Sequence, residues 1–172
     1  MLPSGLPEQV ANAEVVARHI FRPGDIKGEP GAKATPKRQA YMPLHDGESE
    51  AWVISVSRTQ LLPDEEAIER NGIQVGFASN RVLLAYTRIT AADIRAVACL
   101  DLERKKVGNM DVIAHEPPHH HAHLIKYPEL IEGENPKLLQ MECAQDLAER
   151  SAPVTWRALP KEAWEVELGK RK

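Results

Sequence analysis

Apolar residues recur along this chain at two spacings, one helical and one alternating, and the breaks between them are marked by glycine and proline. Between Glu8 and Ile20 the apolar positions Val10, Ala11, Ala13, Val16, Ala17 and Ile20 repeat at helical spacing and stop ahead of Pro23-Gly24, which predicts an N-terminal helix. The second half of that segment, Val15 to Phe21, is rich in strand formers, so an extended segment is the competing expectation. Residues 22–47 hold Gly24, Gly28, Gly31, Gly47, Pro23, Pro30, Pro36 and Pro43, which interrupt any regular element and predict a long loop. Ala51 to Arg58 then alternates, with Trp52, Ile54 and Val56 on one face of a strand and Val53, Ser55 and Ser57 on the other; the first face is assigned to the core.

Pro63 followed by three acidic residues reads as a helix start, and Gly72 as its stop, so a short helix is expected at 63–71. Val82 to Thr87 reads as a strand, and Thr90 to Asp93 has the spacing of a capped helical turn. Two alternating runs, 97–103 and 110–115, flank Lys105 to Asn109 and predict a β-hairpin. Asn135-Pro136 caps a helix over 137–150 whose stripe is Leu138, Leu139, Cys143, Ala144 and Leu147. Pro153 ends it, and 154–157 and 164–167 offer closing strands before a frayed basic tail at 168–172.

The order α, β, α, β, β, β, α, β predicts an α+β fold spanning 1–172 as one domain, with a largely antiparallel sheet packed against a C-terminal helix and an N-terminal helix. The sheet is expected to contain 51–58, 82–88, 97–103 and 110–116. Trp52, Ile54, Val56, Leu84, Val112, Leu139 and Leu147 are the expected core.

Composition narrows the function more by exclusion than by suggestion. A net charge of −3 provides no global attraction to nucleic acid or anionic membranes, and an aromatic share of 5% leaves few platforms for stacking bases. The loop at 22–47 is the one locally basic stretch, with Arg22, Lys27, Lys33, Lys37 and Arg38 against Asp25 and Glu29 up to residue 38. Cys99 and Cys143 have no CxxC spacing and read as buried thiols in a reducing compartment. With no leader-like or membrane-spanning stretch, a cytoplasmic protein is the expectation.

Five of the seven histidines fall between His115 and His123, directly after an expected strand. Imidazole titrates near neutral pH and ligates metals, so His115, His119, His121 and His123 are the candidate catalytic residues. An extended chain puts His119, His121 and His123 on one face; a helical one sets His119 and His123 one turn apart. Without HExxH and without a cysteine in the cluster, no resident metal or cofactor is expected. Arg18, His19, Arg22, Ser57 and Arg58 form the candidate substrate-binding set, because guanidinium and hydroxyl groups suit a phosphate or carboxylate.

Arg18, Ser55-Val56-Ser57 and Glu165-Val166-Glu167 resemble, in order, the arginine, Ser-x-Ser and Glu-x-Glu patterns of one class of ADP-ribosyltransferases. The serine-to-glutamate separation is longer than that family's, and a Glu-x-Glu on a closing strand is ordinarily its solvent face. Nucleophile elbows, phosphate-binding loops and dinucleotide fingerprints are absent. Two readings follow: a histidine- and arginine-dependent enzyme acting on a phosphate-containing substrate such as a nucleotide or RNA, or a non-catalytic binding or accessory module with a protein partner.

Overall fold

Val15–Ile20 forms a strand (β1) in place of the expected helix over Glu8–Ile20. The strand pairs along its whole length with Ala85–Thr90 and at Val16 and Ala17 with Arg58 and Ser57, and that tertiary pairing outweighs the helical spacing of small apolar residues. The computed structural model describes residues 2–3, 5–30, 32–47, 51–128 and 137–159. Asn135-Pro136, the closing strand expected at 164–167 and the basic tail lie outside the described residues. The remaining elements are β2 (Ile26–Lys27), β3 (Thr35–Pro36), β4 (Leu44–Asp46), β5 (Ala51–Arg58), α1 (Glu65–Ala78), β6 (Ala85–Thr90), α2 (Ala91–Ala96), β7 (Ala98–Leu100), β8 (Lys106–Asn109), β9 (Asp111–Ala114), β10 (His121–Ile125), α3 (Lys137–Arg150) and β11 (Thr155–Trp156).

The main sheet runs β11-β6-β1-β5-β10-β9, with β4 added on β5, and every pairing in it is antiparallel. An α+β chain with an antiparallel sheet is therefore what the pattern produces, without the N-terminal helix. One sheet face carries Val16, Ile20, Ile54, Val56, Val112, Ala122 and Leu124, which close a continuous core with Cys143, Ala144 and Leu147 of α3. The opposite face is covered in part by α1, where Ala17, Ile68 and Tyr86 form a smaller cluster with Leu62 against it.

Several expected elements shift for identifiable reasons. The expected loop at 22–47 contains the β2–β3 hairpin, two 3-10 turns and the edge strand β4, held by buried Ile26, Ala34, Ala40 and Tyr41. The expected 97–103/110–115 hairpin does not form, because β7 pairs with β8 in a separate small sheet and β9 pairs with β10. The strand expected at 82–87 begins later, at Ala85. On α3, Leu139 and Leu147 are buried while Leu138 is exposed, and on β5 Trp52 is only half-buried. Thr90 does cap α2, accepting from the Asp93 amide at 3.0 Å. Cys99 and Cys143 are buried and unbridged, and among the described residues no helix is long and apolar enough to cross a membrane.

The helix expected at 63–71 is capped by Asp64, whose carboxylate accepts from the Ala67 amide at 2.7 Å, and it continues to Ala78. Gly72 does not stop it. A Cβ at Gly72 would lie 2.6 Å from His19 Cδ2, and one at Gly76 would lie 2.5 Å from the Arg81 carbonyl oxygen. Both glycines are buried, and they let α1 sit close against β1 and the chain that follows the helix. Gly76→Ala gains about 1 kcal/mol of helix propensity but forces a carbonyl aside, an overpacking that costs about 1–3 kcal/mol. Urea unfolding should show a net loss of up to about 2 kcal/mol. A raised unfolding midpoint would contradict this close-approach role.

Candidate functional site

The histidine cluster is assembled by register. In β10, His121 stands opposite Ser57 and His123 opposite Ser55 of β5, while on the other side His123 stands opposite Ile113 of β9. Just beyond β9, the His115 amide donates to the His121 carbonyl at 2.9 Å, which puts His115 across from His121. Directly paired residues share a sheet face, so His115, His121, His123, Ser55 and Ser57 all project away from the α3 core. The rings of His115 and His123 stack with centroids 4.2 Å apart, and His121 meets them edge-on at 5.2 and 4.7 Å. One potential ligand nitrogen from each of the three lies within 4.8 Å of the others.

His119 does not join them. The strand begins at His121, so the alternation that would align His119 with His121 and His123 does not reach back into the turn at 117–120. His119 is exposed and contacts only the edge of His120 among the rings. His120, omitted from the candidate set, is the residue that turns into the site. Its Nε2 lies 3.0 Å from Asn71 Oδ1, and Asn71 Nδ2 donates to Ser57 Oγ at 2.8 Å. Because the Asn71 amide nitrogen faces the serine, its carbonyl accepts from His120 Nε2–H, which leaves the lone pair on His120 Nδ1.

These residues line a cleft of about 640 Å³, together with Arg18, His19, His45, Asp46, Arg81 and apolar side chains. The cleft lies where β5 changes partners. Its C-terminal end pairs with β1 only at Val16–Arg58 and Ala17–Ser57, and its N-terminal end pairs with β4 from Leu44–Val53 to Asp46–Ala51. Arg18 bridges the interval, with Nε donating to the Ala40 carbonyl at 2.8 Å and Nη1 to the Ser55 carbonyl at 3.1 Å. Its guanidinium thus takes over an edge carbonyl that a strand partner would otherwise satisfy.

The other expected binding residues divide. His19 is buried on the cleft side, but its Nε2–H donates to the Ile68 carbonyl at 2.9 Å, so it ties β1 to α1. Ser57 is buried and held by Asn71. Arg58 is turned to the other face in a two-pronged pair with Glu14, both contacts at 2.9 Å, and it is absent from the cleft wall, as is the exposed Arg22. Glu165 and Glu167 lie outside the described residues. Asn71 and Arg81 carried no recognisable motif. Arg81 is placed by its guanidinium, 4.6 Å over the Phe21 ring.

Comparison with family models, with curated proteins and with solved structures finds no match.

Desolvation, with the neighbouring His123 and His115 adding to it, pushes His121 down to about 4. Desolvation likewise lowers His120, helped by His119, and lowers His123, helped by His115 and opposed by Asp46. At neutral pH these imidazoles are uncharged lone-pair donors. Burial also lowers Arg18 from its ordinary value, with Tyr41, Tyr127 and Asp25 opposing.

Burial holds His19 near 4, whereas in the unfolded chain it takes a proton near 6.5. Its contribution to stability is thus complete above pH 6.5 and lost as pH falls towards 4, because the unfolded state then binds the extra proton. The difference corresponds to on the order of 3 kcal/mol. His19→Gln keeps a donor for Ile68 and does not titrate. Between pH 7 and about pH 4 its unfolding free energy should fall by roughly 3 kcal/mol less than that of the unsubstituted protein. An equal fall in both would contradict the assignment.

Proposed function

We propose that the protein is an enzyme acting on a phosphate-bearing substrate such as a nucleotide or RNA, held in the β5 cleft with its anion against Arg18 and its reacting bond near the histidines. The observation that carries this reading is the state of Arg18. Two of its donors are tied to carbonyls, and Asp25, which bears on it electrostatically, makes no ion pair with it among the described residues. A poorly solvated cation without a carboxylate in contact favours an anionic ligand, and guanidinium geometry suits phosphate oxygens. Arg81 adds a second cation at the rim, and the uncharged imidazoles do not compete for the anion.

His120 is the general base of this proposal. The Ser57–Asn71–His120 chain of hydrogen bonds orients the ring and fixes the proton on Nε2, so Nδ1 is free to accept a proton. Asn71 is a positioning residue.

Calorimetric titration with adenosine monophosphate and with adenosine tests the anion half of the reading. The nucleotide should bind at least roughly tenfold more tightly, and Arg18→Leu or the surface substitution Arg81→Ala should shrink that preference. Equal affinities, or a preference untouched by both substitutions, would contradict it. Turnover of a nucleotide or RNA substrate should fall by about 100-fold or more in His120→Gln. Unaltered turnover would remove His120 from the chemistry.

A further inference from the structure

The geometry points to a divalent transition-metal site of the zinc class whose protein ligands are His115, His121 and His123. It does not depend on the phosphate reading above, although both concern the same cleft. Strand β10 and the residue just beyond β9 deliver three imidazoles to one spot, with candidate ligand atoms within 4.8 Å of one another. A tetrahedral zinc centre with Zn–N bonds of about 2.0–2.1 Å places its nitrogens roughly 3.4 Å apart, a spacing that the three rings already approach.

A second observation comes from the same ring. His115 Nδ1 is buried and has no hydrogen-bond partner. A buried nitrogen left in that state has lost its water without a replacement partner, and stacking on His123 does nothing to satisfy it. A metal ion would take its lone pair along with those of the other two rings.

The donor set also selects the ion. Three imidazole nitrogens, with the two cysteines buried elsewhere and absent from the cleft wall, suit zinc and its first-row neighbours rather than magnesium or calcium, which require oxygen. Three protein ligands leave a position open towards the cleft, the arrangement in which a metal holds water or a substrate oxygen. Asp46, which lines the same wall and bears electrostatically on His123, is the nearby carboxylate suited to orient that ring.

Histidine-rich segments bind metals adventitiously, and the structure separates that case from a built site. Of the five histidines between 115 and 123, His119 is exposed and His120 is engaged with Asn71, so only three converge. The test is calorimetric titration of zinc chloride into untagged, chelator-treated protein, with no organic ligand present. One equivalent should bind. His115→Gln, His121→Gln and His123→Gln should each weaken binding by more than the roughly 100-fold that loss of an outer-shell partner costs, while His119→Gln leaves it unchanged. Equal weakening in His119→Gln, or no stoichiometric binding, overturns the proposal. Cobalt titrated into the unsubstituted protein gives an answer that needs no variant to fold. Intense visible bands of four-coordinate cobalt, abolished by zinc, support the site; the weak spectrum of hydrated cobalt overturns it. Failure here leaves the discrimination between adenosine monophosphate and adenosine intact, so the two readings fall separately.

Discussion

The change of partners along β5 is the constraint from which the site follows. One strand cannot pair the same residues with β1 and β4, so β1 holds its C-terminal end and β4 its N-terminal end, and the backbone between them needs a different partner. Arg18 meets that need with a side chain where a regular sheet uses an amide. The substitution leaves a positively charged group in a gap of the sheet, beside the wall of histidines that β10 contributes. A continuous β1–β5 ladder would leave Arg18 no gap to fill, and the cleft would be a flat sheet face.

Charge is divided across the cleft by environment. Arginine stays ionised after partial burial, whereas histidine surrenders its proton when desolvated next to other histidines. The result is a fixed cation on one side and uncharged lone-pair donors on the other. Such a pair can bind an anionic group and place it next to bases or metal ligands, and neither side neutralises the other. The α3 core and the close approach of α1 through Gly72 and Gly76 supply the rigidity that keeps these groups in place.

How much of this was legible depended on the range of the interactions involved. Helix α3 and strand β5 could be read because their signals are local: an apolar stripe ended by proline in one, strict alternation in the other. The alternation His121, Ala122, His123 puts two of the three rings on one face in the extended of the two conformations the sequence allows, the one the structure adopts. β1 was ambiguous because alanine and valine at helical spacing also fit a strand, and only its two neighbours decide the matter. The third ring, His115, could be placed beside them only once β9 was known to pair with β10 instead of with the run at 97–103. Arg58 was misleading for the same reason, since its partner Glu14 lies on a distant part of the chain. His120 is hidden from the sequence because extending the strand pattern backwards points it away, whereas the turn before β10 carries it to Asn71.

Imidazole nitrogen spectra of the metal-free protein at pH 7, combined with ring-to-ring proton contacts, test the central claim most directly. The account predicts neutral imidazoles at His121 and His123, and close contacts from the His115 ring to both. Charged imidazolium at His121 or His123, or no contact between His115 and His123, would contradict it.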